Sequence, residues 1–268
     1  MAKRFAIIIE SYNVSGQDCL LGAKMDADNW CSFLKSDLGG AWRDNEVVKL
    51  PKPSGLDIQT LLSLHEDSYV FLAFSGHGFE ERDPHSDNCV MKICLNDSEQ
   101  AVPIDTICPK CNGTAIFDCC RGIENGQGQI KIANESLSAI HQTSLHGTTD
   151  AVWQLVTNSA QPRSQTQERI RKVFLRQIEK LPSFATVQMF SCSKNEAAGE
   201  DPNAGGYYTT LLMQGAKIWA EAQKENEYYA VYNTKQAHDF ACEAMKEVNP
   251  KQRPEYSPLW QWYPFAIG

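Results

Sequence analysis

The sequence predicts an α/β protein in which a mainly parallel sheet is covered by helices on both faces. Three observations predict it. Short apolar, β-branched runs recur along the chain, segments of helical period lie between them, and two of the runs stop at a glycine just as polar residues appear. With 268 residues, 42% hydrophobic and 22% charged, there is material for one large α/β domain or two small ones with a real core.

Residues 5–10 form an apolar run too short for a signal-peptide core or a membrane span, and are predicted as a buried strand. Asp26 opens a helical pattern reaching about residue 38, with Trp30, Phe33 and Leu34 on one face. Residues 47–50 make a second strand stopped by Pro51, 56–65 a helix, and 69–74 a third strand. The polar stretch 79–101 reads as loop with a small hairpin at 89–95, and 114–118 as the fourth strand. Residues 122–163, rich in Gly, Gln, Ser and Thr, read as a long exposed connection. Beyond it come a helix at 164–180, with Ile170, Val173, Phe174 and Ile178 on one side, and a fifth strand at 186–191. Helices at 207–219 and 235–248 and a last strand at 264–267 complete the pattern.

The 25 Lys and Arg residues against 33 Asp and Glu give a formal charge of −8, which argues against a nucleic-acid partner. No stretch has the length of a membrane span, so a soluble, cytoplasmic protein without a membrane partner is expected. The ten cysteines are unevenly spaced and read as reduced thiols rather than a disulfide framework.

Two segments fall at the C-terminal ends of predicted parallel strands, where open α/β sheets gather their catalysts. One is Phe74-Ser75-Gly76-His77-Gly78; the other is Phe117-Asp118-Cys119-Cys120-Arg121-Gly122. Strand side chains alternate, so Ser75 and His77 should share a direction, as should Asp118 and Cys120, while Cys119 points into the core. Cys120 is therefore the candidate nucleophile and His77 its acid–base partner. The imidazole either lowers the thiol pKa or removes its proton at attack, and then protonates the departing amine. The backbone N–H groups of Gly78 and Cys120 are candidates to hold a developing oxyanion. Cys108-Pro109-Lys110-Cys111 has zinc-ligand spacing, but Cys119 and Cys120 are adjacent and should face opposite ways, so unligated thiols are expected and no metal site is assigned.

The run Asp118-Cys119-Cys120-Arg121-Gly122 resembles the caspase signature Gln-Ala-Cys-Arg-Gly, which follows a histidine about 50 residues upstream, as His77 does here. Leu21-Gly22-Ala23-Lys24-Met25-Asp26-Ala27 is similar to the Gly-Cys-x-x-Asp-Ala opening of the first helix in metacaspases. Met189-Phe190-Ser191-Cys192-Ser193, Asn195-Glu196-Ala197-Ala198 and Gly205-Gly206-Tyr207-Tyr208-Thr209 are similar to the start of their small-subunit portion. On these residues the chain resembles the caspase-like cysteine peptidases, closest to the metacaspases and the bacterial orthocaspases.

The resemblance implies the caspase-like (caspase-hemoglobinase) fold, a mostly parallel six-stranded sheet flanked by helices in a single domain over 1–268. Residues 1–122 would be the large-subunit-like portion, 123–163 the exposed connection and 164–268 the small-subunit-like portion. It also implies that Asp26, Ser75 and Asp118 line the pocket for the residue before the cut. The substrates would be proteins or peptides with Arg or Lys there, Arg being preferred because its fork suits two carboxylates. True caspases, which cut after Asp, place an Arg where this chain has Leu20. The chain also departs from metacaspases, with Arg121-Gly122 in place of His-Ser-Gly after the nucleophile and Ala23 in place of Cys. Asp83, Asp87 and Asp97 are scattered, unlike the dense acidic cluster that many metacaspases use for calcium. They read as ordinary loop acids, and no cofactor is expected. Control by an activating partner protein, or by self-cleavage at Lys131 or Arg163, is the expectation. The competing readings are a catalytically silent scaffold of the same fold, against which the intact Cys120 and His77 count, and a zinc-dependent interaction module.

Overall fold

The computed structural model describes residues 3–82, 88–98, 101–110, 112–124, 130–131, 165–181, 185–223 and 229–268, with the side chains of 124, 130 and 131 excepted. In chain order the first half runs β1 (Arg4–Ser11), α1 (Leu21–Lys35), β2 (Val47–Pro51), α2 (Gly55–Leu64) and β3 (Tyr69–Gly76). It continues with β4 (Gly78–Arg82), β5 (Cys89–Ile93), β6 (Val102–Pro103), β7 (Gly113–Asp118), β8 (Ile123–Glu124) and β9 (Ile130–Lys131). The second half contributes α3 (Gln165–Lys180), β10 (Thr186–Phe190), β11 (Glu200–Asp201), β12 (Gly205–Gly206) and α4 (Tyr207–Gln223). It ends with β13 (Val231–Asn233), α5 (Thr234–Val248), β14 (Glu255–Ser257) and β15 (Pro264–Ile267). No described helix is long and apolar enough to cross a membrane.

The main sheet has six strands in the order β14-β10-β7-β3-β1-β2, all neighbours parallel except the antiparallel edge strand β14. Its central strands are apolar on both faces, as a sheet covered on both sides requires. Alternation splits them between two cores. Ala6 and Ile8 of β1, Tyr69, Phe71 and Ala73 of β3, and Ile116 of β7 join α1, α3, α4 and α5 in one cluster. Phe5, Ile7, Ile9, Val70, Leu72, Phe74, Ala115 and Phe117 join α2 and β5 in the other. Each buried Ile or Phe contributes roughly 1.5–3 kcal/mol.

Four elements differ from expectation. Helix α1 begins at Leu21, not Asp26, although Leu20 supplies no side-chain cap. The orphan N–H of Ala23 is met instead by Glu200 Oε2 at 3.2 Å, a partner remote in sequence. The predicted hairpin is a five-stranded second sheet in the order β6-β5-β4-β8-β9, in which β5 pairs with β4 rather than within itself. The last strand, β15, pairs with β13; the sixth strand of the main sheet is the short β14. The connection from 122 starts as β8, which runs parallel to β4 and pairs with β9. Its remainder, with Arg163, lies outside the described residues.

Candidate active site

Register decides what meets at the top of the sheet. Ser75 of β3 lies opposite Asp118 of β7, each at its strand's C-terminal end. Parity continues from the buried residues below: Ser75 follows Phe71 and Ala73, and Asp118 follows Ile116, onto the face covered by α1. Cys119 falls on the other face, in the cluster with Ala115 and Phe117. Helix α1 delivers Asp26 to the same place, where Ser75 Oγ donates to Asp26 Oδ2 at 2.5 Å.

The two carboxyls are held by the second half of the chain. Gly206 N–H reaches both Asp26 oxygens at 3.0 Å, and the N–H and hydroxyl of Thr209 donate to Asp118 Oδ2 at 3.0 and 2.8 Å. Position 206 must be glycine: a Cβ there would lie 2.3 Å from Asp118 Oδ2 and 2.9 Å from Asp26 Oδ2, so one methyl group would strike both carboxyls. Burial raises the Asp26 carboxyl well above the usual range and the charge of Asp118 adds to it, against the hydrogen bonds of Ser75 and Gly206. Asp118 is likewise raised by burial, against its bonds to Thr209 and Ser191.

Above this pair opens a cavity of about 280 Å³. Its lining includes Ser75, His77, Gly78, Asp118, Cys120 and Glu200. Asp26 is fully buried and sits behind the lining rather than in it. Glu200 is the carboxylate that sequence reasoning missed. Gly22 makes room for it, since a Cβ there would be 2.8 Å from its Oε2. Among the described residues no lysine or arginine lines the cavity, and Leu20 occupies its wall.

His77 Nε2 lies 2.7 Å from the Asp18 carbonyl, which sits in the loop between β1 and α1. A carbonyl only accepts, so Nε2 donates this bond, and Nδ1 is the nitrogen left to exchange a proton with another group. Cys120 Sγ accepts from Ala198 N–H at 3.4 Å. Burial pushes its thiol up and the charges of Asp118 and Glu200 add to that, while the Ala198 N–H pulls the other way.

Three other cysteines, Cys108, Cys119 and Cys192, are buried. Burial raises Cys119 and Cys192 well above the ordinary thiol range and Cys108 to about 12. Gln188 Nε2 donates to Cys108 Sγ, and Cys111 lies outside the described residues. No described cysteine is in a disulfide. Among the described residues no three His, Cys, Asp or Glu side chains are grouped to hold a metal ion. Asp97 does not fit a calcium site: it accepts from Ser15 N–H and pairs with Lys52 at 2.8 Å. Asp83 and Asp87 lie outside the described residues.

A family model for the caspase domain matches residues 3–259. The chain is similar to caspase-1 from Spodoptera frugiperda, at 13% identity and a TM-score of 0.53 over 96% of this chain and 87% of that one. It is also similar to a protein from Geobacter sulfurreducens, at 14% identity and a TM-score of 0.51 over 95% and 92%. These two likenesses bear on the fold alone. A search of curated proteins found no match.

Proposed function

The chain belongs to the caspase-domain family, and from that premise we propose that it is a cysteine endopeptidase cutting after basic residues, Arg in preference to Lys. The observation that carries this is the cavity, whose described lining sets Cys120 and His77 with Asp118 and Glu200, backed by Asp26, and includes no lysine or arginine. Burial raises both Asp26 and Asp118, and the charge of Asp118 adds to the rise at Asp26; a cation entering the cavity would relieve them, and a guanidinium reaches them with a fork that an ammonium lacks.

In this reading the side chain before the cut enters the cavity and sets the scissile carbonyl over Cys120 Sγ. His77 Nδ1 takes the thiol proton as sulfur attacks the carbonyl carbon, and the electron pair moves to oxygen, held by the N–H groups of Gly78 and Cys120. The imidazolium then protonates the amine leaving group, and water, deprotonated by the same ring, hydrolyses the thioester. Each step uses only this chain's own groups and water. The protein would act in the cytoplasm on protein or peptide substrates, under control of an activating partner or of cleavage within the connection.

A panel of fluorogenic peptides differing only at the residue before the cut tests the proposal. Turnover should rank Arg above Lys by about tenfold and leave Asp peptides untouched, and Cys120→Ala should cleave none. Cleavage after Asp would overturn the specificity. A native protein that cleaves nothing would instead favour the scaffold reading.

A further inference from the structure

We propose that Gln252 is a positioning residue for substrate choice: its buried amide clamps both ends of the loop that brings Ala198 and Glu200 to the cavity. Gln252 lies in the turn between α5 and β14 and is 2% exposed. Its Nε2 donates to the Ser191 carbonyl at 2.9 Å. Its Oε1 accepts from Gly199 N–H at 2.9 Å and from Asn249 Nδ2 at 3.2 Å. A carbonyl only accepts and a backbone N–H only donates, so Ser191 and Gly199 fix which way round the amide sits. A carboxylate or an ammonium in its place would satisfy one end of the loop and not the other.

The loop runs between two strands, with Ser191 directly after β10 and Gly199 directly before β11. Near its end it meets the nucleophile, Ala198 N–H lying 3.4 Å from Cys120 Sγ. Glu200 follows Gly199, lines the cavity and accepts from Ala23 N–H at 3.2 Å. The turn that carries Gln252 also grips the middle of the loop. Ser193 Oγ donates to the Arg253 carbonyl at 2.9 Å, and Arg253 N–H and Nε donate to the two Glu196 carboxylate oxygens at 2.9 and 2.5 Å. Gln252 itself does not line the cavity, so it reaches substrate only through this loop.

Buried polar groups are paired in any stable fold, and that alone would make Gln252 an ordinary core amide. The identity of its partners argues for more. One amide joins the residue that leaves the main sheet to the residue that precedes the cavity carboxylate, so the path between them has fixed ends. A carboxylate selects a guanidinium by directional, charge-assisted hydrogen bonds, which need it held in one place. A misplacement of about 1 Å can cost about 100-fold in rate.

The inference rests on the peptidase reading, and two fluorogenic peptides separate them. One has Arg before the cut; the other has citrulline, which matches Arg in shape and carries no charge. Gln252→Met keeps the length of the side chain and removes both clamping bonds. It should lower the Arg-to-citrulline ratio of kcat/KM about tenfold, chiefly through KM for the Arg peptide. A residue that served stability alone would weaken both substrates alike and leave the ratio unchanged. Glu200→Gln should lower the ratio by a similar factor, and the double variant should lie within about twofold of either single one, because both changes act on one carboxylate. A folded Gln252→Met protein with the native ratio, or losses that add in the double variant, overturns the proposal. If Gln252→Met does not fold, Arg253→Ala decides. Its side chain is 74% exposed and it releases the same loop at Glu196. The ratio should then fall about threefold, and an unchanged ratio overturns the proposal. A native protein that turns over neither peptide removes the peptidase reading, and this inference with it.

Discussion

Three thiols, Cys119, Cys120 and Cys192, sit within one hydrogen-bonded neighbourhood, and burial separates them. Cys192 Sγ donates to the Cys119 carbonyl at 3.3 Å; Cys119 is 2% exposed and Cys192 fully buried. Cys120 lines the cavity with His77. Cys120→Ala should therefore abolish peptide hydrolysis, and His77→Ala should lower it by about 10²–10⁴-fold, the usual worth of a general base. Cys119→Ala should keep activity and lose about 1 kcal/mol of stability. Activity lost only with Cys119→Ala would contradict the assignment. Asp26 gives a prediction with a sign. Its carboxyl binds a proton more tightly folded than unfolded, so its contribution to stability is present in full below the ordinary carboxylate pKa of about 4 and is lost as pH rises through the raised folded value. Asp26→Asn is never charged. Its melting temperature relative to native should rise between pH 4 and pH 8, while turnover of Arg peptides falls more than tenfold. A difference in melting temperature that does not grow with pH would contradict the buried, proton-holding role.

At the scale of elements, alternation along β3 and β7 made most of the site legible. Alternation pairs Ser75 with His77 and Asp118 with Cys120 and sends Cys119 into the core, where it lies; that Ser75 and Asp118 meet is implied only by the family resemblance, and the strand register sets them opposite each other. What alternation could not show depends on partners far along the chain. Helix α1 has no capping side chain of its own and starts where Glu200 reaches it, so neither its first turn nor Glu200's place in the cavity has a local signal. Strand β14 is only Glu255–Ser257, with a single buried residue, Tyr256, too short to register as periodic. The β11–β12 turn is legible once the carboxyls are placed, because Gly205 and Gly206 let them close. Gly205 has φ +118, the left-handed region, and Gly206 has no room for a Cβ. Gly206→Ala should raise KM for Arg peptides at least tenfold by displacing Asp118 and Asp26, with a smaller change in kcat. Unchanged KM would mean that the pair does not contact substrate.

At the scale of the molecule, the sheet interleaves the two halves of the chain. Strands β10 and β14 follow the connection, yet β10 pairs with β7 from before it, and α3, α4 and α5 share a core with α1. A cut between residues 122 and 163 would leave that sheet and core whole. If the enzyme nicks itself at Lys131 or Arg163, mass spectrometry should find fragments that Cys120→Ala never yields, and they should co-elute in gel filtration until denatured. A chain that stays intact while turning over peptide would show that self-cleavage is not needed for activity. The central claim, that Cys120 attacks carbonyls presented by a carboxylate-lined pocket, is tested most directly by covalent capture. The native protein is incubated with peptide chloromethyl ketones ending in Arg or in Asp, then weighed intact and mapped by mass spectrometry. The account predicts one adduct, on Cys120, formed with the Arg reagent and suppressed in His77→Ala and Asp118→Ala. Labelling of another cysteine, or faster labelling by the Asp reagent, would contradict it.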